Sequence, residues 1–422
     1  MQAAEPPSED VLLTVERVGQ RGDGIAHWRG EPVYLPFTAP GDRLRARLVK
    51  RRGDGWSAQV DAVLVPGLRT APVCRHFGAC GGCALQHLDD RAYSAAKIAW
   101  LEAALAHHGL RAGSIHPLRR LKPGTRRRAR FHLARGRVGY HARQSHRLIN
   151  VAECAVIAPP LLALLAPLRR LSLVLFERAE GGTANTTLSE TGIDLVIELP
   201  QAPDLGRLEA LAGFAAAENL ARLSWRCGGE IAPVARRRQP RATLSGVAVD
   251  LPPDAFLQPS LEAEVALSEV VIEMAGGACS VADLYAGIGT FTFALAGKAK
   301  LHAVEGAAES VSALARAASR AGLAERVSAE HRDLAARPLD AEELATFDAV
   351  IFDPPYAGAR EQSPALAASR VPRVIAVSCN PASFARDARS LVDGGYRLVE
   401  IRPFDAFVWS ANLELVALFE RR

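Results

Sequence analysis

No run of about 18 uncharged apolar residues occurs in the 422-residue chain, so no membrane-spanning helix is predicted. Met1 to Asp10 lack both the basic stretch and the apolar run of a secretory signal, which makes the cytoplasm the expected compartment. A disulfide framework is missing as well: seven cysteines, an odd number, are spread through a long chain. Internal repeats and low-complexity tracts are absent. With 49% hydrophobic and 23% charged residues, the composition excludes disordered and collagen-like chains. At about 100–200 residues per domain, the length allows two or three domains.

The charge is unevenly placed. The net +5 divides into 25 Lys+Arg against 12 Asp+Glu over residues 1–150 and 26 against 34 over residues 151–422. A basic front half before a mildly acidic back half points to a polyanion-binding front, with a merely solvated basic surface as the plainer reading.

From Val11 to Val65 the chain reads as short strands punctuated by glycine turns. Arg43, Arg45 and Arg47 alternate with Leu44, Ala46 and Leu48, the period of a half-buried strand with one cationic face. A small oligonucleotide-binding-like β-barrel over 1–66 is expected, for RNA or for packing alone. An α+β central region follows over 67–255, with a helix predicted from Arg91 to His108, helical spacing over 161–176, and strands over 186–199 and 244–251. Beyond 256 the grammar changes to short apolar strands alternating with Ala-rich helical stretches: Val281–Leu284, Leu301–Glu305, Val350–Asp353 and Val374–Ser378. That alternation predicts an α/β unit over 256–422 on a parallel sheet, with ligands at the carboxyl ends of its strands.

Those ends carry the chemistry-bearing residues. The first closes on Asp283-Leu284-Tyr285-Ala286-Gly287-Ile288-Gly289-Thr290, where glycines let the backbone turn tightly and approach a ligand. The second ends at Glu305, an acceptor for ribose hydroxyls, and Asp333 follows the third. Together these strand ends resemble the class I (Rossmann-like) S-adenosylmethionine methyltransferases. The fourth strand ends in Asp353-Pro354-Pro355-Tyr356, which alone resembles methyltransferases acting on nitrogen. The fifth ends in Ser378-Cys379-Asn380-Pro381, which points to carbon. Carbon 5 of uracil cannot attack a sulfonium methyl until a nucleophile adds at carbon 6, and a thiolate does that. A base must then remove the carbon 5 proton, and Glu414, in the apolar run Asn412-Leu413-Glu414-Leu415-Val416, is the candidate.

The motifs Phe256-Leu257-Gln258, Asp283 to Thr290, Asp353-Pro354-Pro355, Ser378-Cys379-Asn380-Pro381 and Leu413-Glu414 resemble, in order, those of bacterial RNA 5-methyluridine methyltransferases. The resemblance implies Cys379 as nucleophile, Glu414 as base and Asp353 as the residue orienting uracil. It places Gln258 in the substrate and cofactor pocket, and Tyr285, Gly287, Thr290, Glu305, Asp333 and Asp353 in contact with S-adenosylmethionine. Two positions depart from the family: Tyr356 stands where Arg is common, and Asn412 where His often precedes the base. A nitrogen methyltransferase acting on RNA or protein, and a non-catalytic RNA-binding assembly protein, stay open as alternatives.

Cys74, Cys80 and Cys83, completed by Cys154, have spacing suited to tetrahedral zinc or to an iron–sulfur cluster, and spacing does not separate the two. His76 and His87 flank them as further candidate ligands. The family's ribosomal-RNA branch carries four cysteines in this arrangement around a [4Fe–4S] cluster and an N-terminal (TRAM-type) barrel. The resemblance therefore implies that cluster and 23S rRNA before tRNA as substrate; a monomer is expected. Arg126-Arg127-Arg128-Ala129-Arg130 is the expected phosphate-binding run, continued by His132, Arg135 and Arg137, with Arg236 to Arg238 as a second patch. Phe256 and Tyr356 are candidates to stack on a splayed base.

Overall fold

The computed structural model describes residues 10–177 and 180–421; the reading of Met1 to Asp10 lies outside them up to residue 9. Strands between Val11 and Val65 form a six-stranded sheet around Leu13, Val33, Leu35, Leu44, Ala46 and Trp56. In its longest hairpin, Leu44, Ala46 and Leu48 point inward while Arg43, Arg45 and Arg47 stay exposed, as the alternation requires. The central part is a seven-stranded sheet from Arg128 to Arg236. Its apolar face packs on the helices Pro159–Ala163, Leu165–Leu175 and Leu205–Ala217 through Phe131, Leu168, Phe176, Leu195 and Leu211.

The C-terminal part is a nine-stranded sheet. Five parallel strands lie in the order Val327–His331, Lys300–Glu305, Ser280–Leu284, Ala349–Phe352, Arg373–Ser378. Glu414–Arg421 then inserts antiparallel between Arg373–Ser378 and Tyr396–Asp405. The order reverses between Ser280–Leu284 and Ala349–Phe352, and at such a switch point the loops diverge and leave a crevice at the strands' carboxyl ends.

Three sequence expectations change. The strand expected over 186–199 is part of a hairpin, Gly181–Ser189 paired with Gly192–Glu198, with its turn at Glu190 and Thr191. The single strand expected over 244–251 is a hairpin, Arg241–Leu244 paired with Val247–Asp250. Ser245 and Gly246 both take positive φ, 46° and 87°, the backbone of a two-residue hairpin turn. Helix Asp90–His107, which sequence puts in the central region, packs on the C-terminal sheet: Leu101, Ala104 and Leu105 share a core with Leu398, Ile401 and Leu415. Ser114–Ile115 and Arg119–Arg120 then pair with Tyr396–Asp405. No helix among the described residues is long and apolar enough to cross a membrane.

Candidate active site

Strand pairing assembles the catalytic candidates. Val377 lies opposite Val416 and Ser378 opposite Leu415, so the same antiparallel register carried one residue further sets Cys379 across from Glu414. Asp353 sits one residue past the neighbouring strand, and its backbone N–H donates to the Leu284 carbonyl at 3.2 Å. Gln258 donates from Nε2 to Asp353 Oδ2 at 3.2 Å. The loop carrying Asp353 and the loop carrying Cys379 are joined by Asn380, whose Nδ2 donates to the Tyr356 carbonyl at 3.1 Å while its Oδ1 caps helix Pro381–Asp393. Ser383 donates to the same carbonyl at 3.1 Å. In the sequence Asn380 is legible only as part of a motif. An Asn before Pro at a helix start signals the cap and says nothing of the bridge.

The electrostatics follow from crowding. Glu414 is 3% exposed. Burial, and then the Asp353 charge, hold its carboxyl well above the ordinary range. Burial raises Asp353 too. Burial and the two carboxylates beside it push the Cys379 thiol up to about 12. Three acids crowded into one site oppose one another's ionisation, so each holds a proton more firmly than it would in water, and the Glu414 carboxylate has a raised affinity for one.

The cofactor candidates converge on the adjoining strand ends. Glu305 accepts from the backbone N–H of Gly287 at 2.9 Å and of Ala307 at 2.8 Å, closing the glycine loop onto the second strand. Tyr285 takes φ 60°, Gly287 57° and Gly289 101°, the last ahead of the helix that Thr290 opens. Asp333 caps its own turn by accepting from Ala335 N at 2.9 Å. A Cβ placed on Gly287 would meet no atom within 4 Å, so the loop borders open space. Behind it Asp283 is fully buried: Oδ2 accepts from Thr292 at 2.6 Å and Oδ1 has no partner. Burial raises its carboxyl to about 7. A bare loop facing space, with acidic residues at the ends of two adjoining strands, fits the methionine and ribose ends of S-adenosylmethionine.

Cys74, Cys80, Cys83 and Cys154 line one cavity of about 220 Å3 with Arg126 and Tyr140. None forms a disulfide. Among the described residues, no three His, Cys, Asp or Glu side chains close on a single metal-ion position. His76 Nε2 lies 3.1 Å from the Ala152 N–H, and His87 Nε2 lies 3.0 Å from the Thr38 carbonyl, so these nitrogens already have partners.

The arginine run differs from expectation. Arg127 is an internal strut: its side chain pairs with Glu264 and donates to the Gln258 carbonyl, and its N–H donates to the Pro259 carbonyl. Arg126 lies over Phe407 at the cysteine cavity. Arg128 lies 4.8 Å over the ring of Phe256, which is exposed, as is Tyr356. Arg135 and Arg238 spend their guanidiniums on the carbonyls of Leu173 and Phe176 and of Thr191 and Asn219. The Leu173, Phe176 and Asn219 carbonyls lie at or just past helix ends, where carbonyls lack intrahelical partners and attract such side chains; Thr191 lies in a hairpin turn.

Comparison with known proteins gives the family. A family model described as tRNA (Uracil-5-)-methyltransferase matches residues 247–422. An uncharacterized RNA methyltransferase of Caulobacter vibrioides is 40% identical, with 97% of this chain and 99% of that protein covered. The 23S rRNA (uracil(1939)-C(5))-methyltransferase RlmD of Chromohalobacter salexigens is 34% identical over 97% of this chain and 89% of its own. The crystal structure of Pyrococcus abyssi tRNA (uracil-54, C5)-methyltransferase with S-adenosyl-L-homocysteine superposes with TM-score 0.75 at 22% identity, over 97% of this chain and 100% of that one, and shares the fold. The chain belongs to the RNA (uracil-5-)-methyltransferase family and is an S-adenosylmethionine-dependent enzyme.

Proposed function

We propose that the protein methylates carbon 5 of a uridine in 23S rRNA by covalent catalysis, with Cys379 as nucleophile and Glu414 as base. The observation that carries this reading is the strand register that sets the thiol across from a buried carboxylate, with Asp353 on the adjacent strand end. Cys379 Sγ gives its proton to solvent, the thiolate adds to carbon 6, and the displaced electron pair makes carbon 5 nucleophilic. S-adenosylmethionine supplies an electrophilic methyl group on its sulfonium. Glu414 removes the carbon 5 proton, the ring double bond re-forms, and the carbon–sulfur bond breaks to return the thiolate. Asp353, held by Gln258, orients the ring. Tyr285, Gly287, Thr290, Glu305 and Asp333 hold the cofactor around the open side of the glycine loop.

At the four cysteines, which are among the residues lining one cavity of about 220 Å3, spacing alone suits either metal centre, while the resemblance to the ribosomal-RNA branch favours a [4Fe–4S] cluster over zinc. Cys74, Cys80, Cys83 and Cys154 would ligate it, and methyl transfer needs no electrons, so its part is to fasten the segment near 74–83 to the one near 154. The N-terminal sheet, with Arg43, Arg45 and Arg47 outward, serves as an oligonucleotide-binding-like barrel for RNA. The proposed domains are 1–66, 67–255 and 256–422, except that residues 90–120 fold onto the C-terminal sheet and belong with the third, in a cytoplasmic monomer.

The choice of 23S rRNA rests on the RlmD relative and the cysteine arrangement. Mass-spectrometric mapping of 5-methyluridine in rRNA from cells with and without the gene tests it. One methylated uridine should disappear from 23S rRNA. Loss confined to tRNA would overturn the choice of substrate.

A further inference from the structure

The loop that delivers Glu414 is gripped from outside by one buried polar cluster. Strand Tyr396–Asp405 ends at Asp405, and the next strand begins at Glu414, paired with Phe404. Segment 406–413 joins them. Lys97 and Tyr93, one turn apart on helix Asp90–His107, both face it and are 0% and 1% exposed. Lys97 Nζ donates to Asp405 Oδ1 at 2.6 Å, to the Asn412 carbonyl at 2.7 Å and to the Phe407 carbonyl at 3.3 Å. An ammonium has three protons, so every one is used on this segment or on Asp405 just before it. Tyr93 donates to Asp405 Oδ2 at 2.7 Å and accepts from the Trp409 N–H at 2.9 Å. The Trp409 carbonyl accepts from the N–H groups of Ala84 and Leu85, immediately after Cys83, and Trp409 itself takes φ 58°.

Burying an ion pair is a poor way to gain stability, because an apolar pair of the same volume avoids the desolvation cost. What charges and hydrogen bonds add is direction: they fix carbonyls at both ends of the segment, where apolar contacts would let it slide. Asn412, whose carbonyl Lys97 holds, stands two residues before the base.

We propose that Lys97 and Tyr93 are positioning residues for the base. Through Asp405 and the backbone of 407–412, they fix the Glu414 carboxylate at the carbon 5 proton, opposite Cys379. The same segment walls the cysteine cavity through Phe407, Val408, Ser410 and Asn412, so the clamp is where the cluster site and the catalytic base meet. This inference rests on the reading of Glu414 as base, and it assigns the two residues to the second half of the reaction alone. Thiol addition and methyl transfer do not need them.

Full-length Tyr93→Phe, Lys97→Met and Glu414→Gln proteins would be given S-adenosylmethionine and unmethylated 23S rRNA transcribed with uridine tritiated at carbon 5. Tritium released to water reports proton removal, a shifted band in a denaturing gel reports the enzyme–RNA adduct, and calorimetry reports cofactor binding. Misplacing a catalytic group by about 1 Å costs about 100-fold, which is the expected fall in tritium release for Lys97→Met. Loss of the Tyr93 hydroxyl bonds should slow it about tenfold. In both, adduct accumulates and cofactor affinity is unchanged. Release at the wild-type rate, or adduct formation falling in step with release, overturns the inference. Should Lys97→Met fail to fold, Tyr93→Phe decides alone, since it removes one oxygen. If Glu414→Gln traps no adduct and still releases tritium, the base assignment fails. If it traps adduct while the other two behave as wild type, only the positioning inference fails.

Discussion

Gly287 and Gly289 stand two residues apart in one loop, and alanine should harm them in opposite ways. Gly287 has φ 57° and open space where a Cβ would go. A non-glycine residue there costs about 1–2 kcal/mol of backbone strain. The less flexible unfolded chain returns about 0.4–1 kcal/mol, leaving a net loss of about 1 kcal/mol. The new methyl, however, projects into the space assigned to S-adenosylmethionine. Gly289 has φ 101°, and its Cβ would lie 2.7 Å from Phe293 Cε2 and 2.9 Å from Cδ2. Overpacking adds about 1–3 kcal/mol to the strain, so Gly289→Ala should lose roughly 2–4 kcal/mol without ligand. Thermal unfolding with and without S-adenosylmethionine separates the two effects. At a ligand concentration of about 100 Kd the wild type gains about 2.7 kcal/mol, and a variant binding tenfold more weakly gains about 1.4 kcal/mol. Gly287→Ala should show that reduced gain on a nearly normal ligand-free stability. If its ligand-induced stabilisation equals the wild type's, the space beside Gly287 is not the cofactor's.

Two further outcomes concern buried Asp283 and the four cysteines. Asp283 keeps its proton to about 7 when folded against an ordinary value of 3.8, so the folded state binds the extra proton and the wild type loses stability as pH rises from about 4 to 7. Asp283→Asn does not titrate, and its advantage in denaturant unfolding should grow across that window to about 4 kcal/mol at about 1.36 kcal/mol per unit; a difference independent of pH would count against the buried acid. Protein purified without air should hold about four irons per chain and lose them on Cys83→Ser, whereas zinc at one per chain would refute the cluster assignment.

The sequence made the parallel strands and their loaded ends readable because Val, Ile and Ala runs stop abruptly at Asp283, Glu305, Asp353 and Cys379, and each stop is local. The pairing of Arg373–Ser378 with Glu414–Arg421 joins segments far apart, and no local pattern encodes its register. The motif resemblance named Cys379 and Glu414; only the register explains why they face each other. Within the arginine run, charge alone does not distinguish an exposed side chain such as Arg130 from one, such as Arg127, ion-paired inside. Lys97 left a readable trace: it stands four residues after Tyr93 and three before Trp100 on the buried stripe of an Ala-rich helix, where a cation needs a partner. That the partner is Asp405 depends on helix Asp90–His107 crossing to the C-terminal sheet, which composition by region conceals.

The central claim is a sulfur–carbon bond between residue 379 and the pyrimidine. Glu414→Gln protein incubated with 23S rRNA and S-adenosylmethionine, then digested with nuclease and protease, should yield a peptide containing Cys379 that carries the mass of a methylated uridine nucleotide. The nucleotide found on another residue, or full methylation by Cys379→Ala, would contradict it.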